Sequence, residues 1–229
     1  MATKTITKEE LNEDVVVNAA SHLEGFYRKH QKTLLIGLAA VVLLVAAYFL
    51  WGWYKDSQNT AAAQKIGYAV QQFELGEFNK ALNGLGSNPG LLKIASEYGS
   101  TETGNLAHYY AAVAYDNLNN RKKALEHYEA FDKGNNLIGA SAYAGEAAIH
   151  EDTNKNYAKA AELYQKAANT YPDESSAPDY LRKAARNYEK AKDFKAAKSA
   201  YEQIKEKYPQ SSVVSELDYY LGRIEALAR

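Results

Sequence analysis

The chain lacks cysteine and has only 4 prolines, and each shortage narrows what it can be. Without cysteine it has no disulfides, thiolate metal sites or thiol nucleophiles, a composition that suits an exported domain. Few prolines beside 19 tyrosines, with abundant alanine, lysine and glutamate, indicate an all-helical domain. The net charge is also close to zero, at −1 from 27 basic and 28 acidic residues. Because nucleic-acid-binding faces are normally basic, we expect no nucleic-acid partner.

Motifs for catalysis and cofactor binding are also missing. The five histidines show no metal-ligand spacing, and the pattern that begins at His150 has Asn154 where a zinc-protease motif needs its second histidine. The glycines do not form a phosphate-binding loop, and no G-x-S-x-G motif occurs. Glu151 and Asp152 are expected in a solvated loop. We therefore predict a non-enzymatic protein with no catalytic residue, no metal and no cofactor.

One segment of the chain is strongly apolar. Residues 34–53, LLIGLAAVVLLVAAYFLWGW, contain no charge and no proline. As a helix this run would extend ~30 Å, which matches the hydrocarbon thickness of a bilayer. A helix on the surface of a soluble domain would keep a polar face, which this run does not have. The sequence therefore predicts a single transmembrane helix embedded in the lipid bilayer through residues 34–53.

The charges that flank the run predict its orientation. Arg28, Lys29 and Lys32 precede it, whereas Lys55 follows it and is offset by Asp56. Positive charge is retained on the cytoplasmic side, so we expect the N-terminus inside and the C-terminal domain outside. The run begins after more than thirty residues and ends in bulky aromatics, which indicates a signal-anchor that is not cleaved.

Two small residues in the run, Gly37 and Ala40, could seat the span against another membrane helix. A placement facing lipid is equally compatible with the sequence. The predicted organisation has three parts: a cytoplasmic leader at residues 1–32, a transmembrane signal-anchor at 33–54 and an extracytoplasmic helical domain at 55–229.

A pattern recurs in that domain. It consists of a small residue, an aromatic four positions later, an apolar residue three further on and, in two copies, a proline after five more. The copies are Ala124, Tyr128, Phe131; Ala160, Tyr164, Ala167, Pro172; and Ala197, Tyr201, Ile204, Pro209. Small residues let two antiparallel helices approach closely, the aromatic fills the neighbouring gap, and the proline ends the helix. One pair cannot bury its own face, so the pairs are expected to stack.

This spacing resembles the tetratricopeptide repeat, well over residues 104–229 and loosely over 58–86. The resemblance implies a right-handed α-solenoid of helix pairs after the transmembrane helix. The large residue usual early in the first helix is replaced by His108 in one copy and Ala144 in another. The last helix would cap the array, with Leu217 facing inward and Arg223 in solvent. A short extra helix is expected between Gly84 and Gly104.

In such arrays the first helix of each pair lines a concave groove, the usual surface for a peptide. Projecting the spacing gives the candidates Leu106, Tyr109, Val113, Asp116 and Asn117 in one pair, and Asp179, Arg182, Arg186, Glu189 and Lys190 in the last full pair. The alternative is that these residues only solvate the surface.

The whole arrangement of leader, anchor and repeat domain resembles the YfgM-like family, through FYRKHQKTLLIGLAAVVLLVAAYFLWGWYKDSQNTAAAQ at residues 26–64. Membership would imply a bacterial inner-membrane protein that is an ancillary subunit of the SecYEG translocon. It would also imply work beside a membrane-anchored periplasmic chaperone, with the C-terminal domain in the periplasm. The alternative is an envelope scaffold that coordinates outer-membrane assembly or cell-wall enzymes through the same repeats.

Overall fold

The structure, a computed structural model, describes residues 8–227 of the chain and the side chains of residues 27–227. The chain divides into two compact units, Met1–Lys55 and Asp56–Arg229. The helices are α1 (Lys8–Glu74), α2 (Phe78–Asn83), α3 (Leu91–Tyr98), α4 (Glu102–Asn117), α5 (Arg121–Ala130), α6 (Leu137–Asp152), α7 (Tyr157–Thr170), α8 (Ala177–Lys190), α9 (Phe194–Lys207) and α10 (Val214–Leu227). Two short strands, β1 (Gly84–Leu85) and β2 (Asn88–Pro89), form an antiparallel hairpin.

The first unit contains the apolar part of α1. An 18-residue window in this helix has a mean hydropathy of 2.6, and none of it is buried. Large apolar side chains from Leu34 to Tyr54 are exposed around the whole helix, without a polar face. The helix is therefore long enough and apolar enough to cross a membrane. The predicted cytoplasmic leader lies mostly outside the residues whose side chains are described.

The second unit is a helical repeat solenoid, and this confirms the predicted fold class. The helices α4 and α5, α6 and α7, and α8 and α9 form antiparallel pairs, and from α3 to α10 each helix packs against the next one along the chain. The small, aromatic and apolar residues of the repeated pattern are buried in all three copies, including Tyr128, Tyr164 and Tyr201, whereas Pro172 and Pro209 are exposed. The right-handed sense of the array stays a prediction.

The turn inside each pair has a common construction that the sequence analysis missed. The residue two positions before the second helix adopts a left-handed backbone conformation: φ is +73° at Gly76, +57° at Asn119, +51° at Lys155 and +63° at Lys192. The next side chain then caps the second helix in three of the turns. Oδ1 of Asn120, Asn156 and Asp193 accepts a hydrogen bond from the backbone N–H three residues later.

The turn at Gly76 reveals a further pair near the start of the second unit. Residues 56–74 of α1 form its first helix and α2, only six residues long, forms its second. Ala62, Ala69 and Ala81 of this pair are fully buried in one core with Ala107 of α4. The β1–β2 hairpin and α3 follow, so the predicted extra helix between Gly84 and Gly104 is confirmed.

The buried core is not uniform along the array. One large cluster extends from residue 62 to Ile149 of α6, and a second extends from Ala168 of α7 to Ile224 of α10. Only a small cluster, which includes Leu163, Tyr164 and Ala184, lies between them. The apolar packing is therefore thinnest where α6 and α7 meet α8.

Gly145 tests the close packing between α5 and α6. A β-carbon at Gly145 would lie 2.4 Å from the ring of Tyr128, which is only 4% exposed and cannot swing into solvent. We expect Gly145→Ala to destabilise the domain by about 1–3 kcal/mol, as overpacking of a core does. The measurement is urea unfolding of the full chain in detergent, monitored by circular dichroism.

Gly222 of α10 provides the matched control. A β-carbon there meets no heavy atom within 4 Å, and the residue is exposed. Gly222→Ala should therefore stabilise the domain by up to about 1 kcal/mol through helix propensity alone. Equal effects of the two substitutions would contradict the packing seen at Gly145.

Candidate functional site

The predicted groove residues of α4 form a partly apolar surface. Leu106, Tyr109 and Val113 are half-buried. The ring of Tyr109 contacts Phe131 at a centroid distance of 5.7 Å and Tyr110 at 5.9 Å. These side chains are packed firmly enough to present a fixed surface, and enough of each remains exposed to contact a partner.

Tyr109 also connects α4 to the following first helices. Its hydroxyl lies near Ser141 of α6 and Tyr180 of α8, and both residues influence its pKa. Burial raises the pKa of Tyr109, the Ser141 contact opposes this, and neighbouring tyrosines add to the increase. Tyr109 of α4 therefore lies near residues of the next two first helices, while the shared groove of α4 and α8 stays a prediction.

At the C-terminal end of α4, the last two candidates make contacts within the chain. Asp116 forms an ion pair with Arg121, the first residue of α5. The side-chain amide of Asn117 is exposed and donates to the backbone oxygen of Val113 at 2.8 Å. Asn117 is therefore accessible to a partner, whereas Asp116 would have to exchange its present contact.

On α8, the candidates differ in how strongly they are held. Asp179 accepts from Arg182 one turn later and pairs with Lys183 at 3.0 Å. Both hydrogen bonds lower the pKa of Asp179, although burial opposes them. Asp179 and Arg182 also line an open cavity of about 580 Å³ between the start of α8 and the start of α10. Arg186, one turn further on, is exposed at the centre of the helix.

Lys190 belongs to a group of side chains that surround the carboxylate of Glu151, which we call the Glu151 cluster. Lys190 donates to Oε1 of Glu151 at 2.5 Å, Asn187 donates to Oε2 at 2.9 Å, and the hydroxyl of Tyr164 lies near the same carboxylate. Burial pushes the pKa of Glu151 upward, but the bonds from Lys190 and Asn187 outweigh it and the pKa is lowered. The expectation that Glu151 lies in a solvated loop is wrong, because it lies in α6 and joins three helices.

Glu189 of the next helix pair is the centre of an equivalent group, which we call the Glu189 cluster. Tyr201 donates to Oε1 at 3.0 Å and Arg223 of α10 donates to Oε2 at 2.6 Å. The ring of Tyr201 stacks on Tyr220 with an interplanar angle of 7°. Arg223 was expected in solvent, and the structure instead places it half-buried against Glu189 because the capping helix needs a polar link to α8. Glu189 is thus held by α9 and α10.

Loss of the Glu189 carboxylate should weaken the packing of α8 against α9 and α10. Glu189 is 11% exposed, and its removal leaves the guanidinium of Arg223 without its carboxylate partner. We expect Glu189→Ala to lower the unfolding free energy by about 2–3 kcal/mol, the cost of deleting hydrogen bonds to a charged group. Urea unfolding of the full chain measures the change.

Glu225→Ala is the matched control, because Glu225 is 61% exposed and its ion pair with Lys198 spans 3.4 Å. Exposed pairs of this kind contribute about 0–1 kcal/mol. A loss of stability in Glu225→Ala as large as in Glu189→Ala would show that the Glu189 cluster adds nothing beyond surface charge.

Three acid and imidazole side chains approach one another elsewhere on the array. Ligand atoms of Glu129, Glu146 and His150 lie within 4.8 Å of one another. However, Lys133 forms an ion pair with Glu146 at 3.2 Å, and both side chains are less than 10% exposed. The positive charge that Glu146 requires is therefore supplied by the chain itself, and we assign no metal to this group.

The membrane-helix candidates Gly37 and Ala40 are exposed on α1, and no heavy atom lies within 4 Å of a β-carbon built on Gly37. This position leaves room for a second helix against Gly37. Their part in helix packing stays a prediction.

Comparison with known proteins identifies one repeat. The sequence model of the tetratricopeptide repeat family matches residues 179–211, which include most of α8 and all of α9. The searches of curated proteins and of solved structures give no match to the chain. The match lies on the helix pair that carries Asp179, Arg182, Arg186, Glu189 and Lys190. Tetratricopeptide repeats are scaffolds for protein–protein contacts, so the match gives the chain a protein-interaction role in general terms.

Proposed function

We propose that the protein is a non-enzymatic, membrane-anchored scaffold whose groove binds segments of other proteins. The observation that carries this proposal is the partly exposed surface of the first helices α4 and α8. Tyr109 supplies a fixed aromatic contact through its packing on Phe131, and Arg186 supplies an accessible guanidinium. Aromatic and arginine side chains are those that most often dominate protein interfaces.

The partner class follows from the resemblance of residues 26–64 to the YfgM-like family. We propose that the protein associates with the SecYEG translocon and helps transfer secreted proteins to a membrane-anchored periplasmic chaperone. A scaffold anchored by one helix stays near the channel and presents its groove to chains emerging from it. This role places the protein in the bacterial inner membrane, with the N-terminus in the cytoplasm and the repeat domain in the periplasm.

The chain's lack of cysteine makes this topology directly measurable. We expect Ser57→Cys to react with an impermeant maleimide added outside the inner membrane. Ser21→Cys should react only after the membrane is opened, because the positive flank of Arg28, Lys29 and Lys32 holds the N-terminus inside. The unsubstituted chain gives the background. The reverse labelling pattern would show that the orientation is wrong.

Charge reversal at Arg186 tests the groove. Arg186→Glu should lower partner capture from native membranes by about tenfold or more, the effect of losing an interface arginine. Arg186 is a cleaner target than Arg182, because reversal at Arg182 would also break its pair with Asp179. Partners are identified by mass spectrometry after photo-crosslinking and affinity capture.

Lys195→Glu is the control, since it makes the same charge change at an exposed position on α9, the second helix of that pair. Equal capture by the two variants would exclude Arg186 from the binding surface. Recovery of channel subunits and a membrane chaperone would support the translocon role. Recovery of cell-wall or outer-membrane assembly proteins without the channel would replace it with the envelope scaffold.

A further inference from the structure

Two histidines far apart in sequence meet between α4 and α5. Nδ1 of His108 lies 3.0 Å from Nδ1 of His127. Both imidazoles are half-buried. The two positions are 19 residues apart in the chain, and no sequence pattern connects them.

The distance between the two nitrogens limits how many protons the pair can hold. One Nδ1 must carry a hydrogen and donate it, while the other must be bare and accept it. A pair with one added proton keeps this bond, since an imidazolium can donate to a neutral imidazole. A second added proton leaves two N–H groups and two positive charges facing each other, so the contact must break.

The surroundings provide little to compensate the second charge. Tyr115 of α4 stacks on His127 at a centroid distance of 5.6 Å, and Nε2 of His108 faces Gly99 at the end of α3. The charged groups that act on His127 are Lys123 and Glu126, which have opposite signs.

Among the described residues, Glu102 of α4 and Glu126 and Glu129 of α5 form no ion pair, whereas several other charged side chains on the elements packed around the pair are held by each other. The latter form the ion pairs Lys80–Glu77 beside α2, Lys93–Glu97 on α3, Asp116–Arg121 between α4 and α5, and Lys133–Glu146 at α6. None of the acids in these ion pairs is available to neutralise a doubly protonated pair without giving up its own partner.

We propose that His108 and His127 form an acid-sensitive contact that loosens α4 from α5 when both rings are protonated. The contact is intact near neutral pH and opens under mild acid, while the helix pairs beyond α6 stay closed. Because α4 carries Leu106, Tyr109 and Val113, loosening it alters the amino-terminal part of the groove. The acid response itself requires no partner and stands apart from the proposed function.

The direction of the pH effect follows from the two imidazoles. The ordinary pKa of a histidine side chain is 6.5. Burial lowers the pKa of His108 below this value, and burial together with the charge on His108 lowers the pKa of His127. Below that pH the unfolded chain binds more protons than the folded one. The stability is therefore present above pH 6.5 and is lost as the pH falls through the folded-state pKa values.

Hydrogen exchange of the full chain in detergent tests the proposal. Between about pH 7 and about pH 5, the range in which histidine titrates, amides of α4 and α5 should exchange about tenfold faster after correction for the intrinsic pH effect. Amides of α8 and α9 should change much less. Equal changes in the two regions, or no change in α4 and α5, would overturn the proposal without any substitution being made.

Two variants assign the response to the pair. His127→Gln cannot be protonated and can still hydrogen-bond His108, so the acid response of α4 and α5 should disappear. His150→Gln removes a half-buried histidine of α6 outside the pair and should leave the response unchanged. Retention of the full response in His127→Gln would show that another group is responsible. Partner capture is not needed for either result, so failure here is distinguishable from failure of the groove assignment.

Discussion

A carboxylate near the C-terminal end of a helix faces the negative end of the helix dipole, so it must gain more from its partners than it loses by its position. Glu151 at the end of α6 and Glu189 at the end of α8 both meet this requirement through donors from other helices. In each case a tyrosine of the second helix and a side chain of the following first helix converge on the carboxylate. These contacts link one helix pair to the next with a directional bond.

The link matters most where the apolar core is thin. The first large buried cluster ends in α6 and the second begins in α7, so only a small cluster fills the junction where α6, α7 and α8 meet. The Glu151 cluster lies at that junction. In a stacked array, stability is close to a sum of pair energies and nearest-neighbour interface energies. A weak apolar interface must therefore be compensated locally, and hydrogen bonds to a charged group are strong enough to do so.

The helix pairs could be predicted from sequence because their signal is local. The fixed spacing of alanine, tyrosine and apolar residues indicates which face of each helix is buried, as at Tyr164 and Tyr201. The turns were missed because the left-handed residues Asn119, Lys155 and Lys192 are not glycine, and only Gly76 carries the usual signal. The carboxylate clusters and the histidine pair were missed for another reason. They join residues on different helices, and their register becomes known only when the pairs are stacked.

The same clusters decide which groove residues are accessible. Projection of the repeat spacing treats every position on the concave side alike, but Glu189 and Lys190 each form an ion pair with another helix. A partner that engaged them would have to break contacts that hold the array together, at a cost of folding energy. Arg186 lies one turn earlier and is exposed. Stacking of the pairs therefore uses Glu151 and Glu189 in structural contacts and leaves the central position Arg186 exposed on the first helix of its pair.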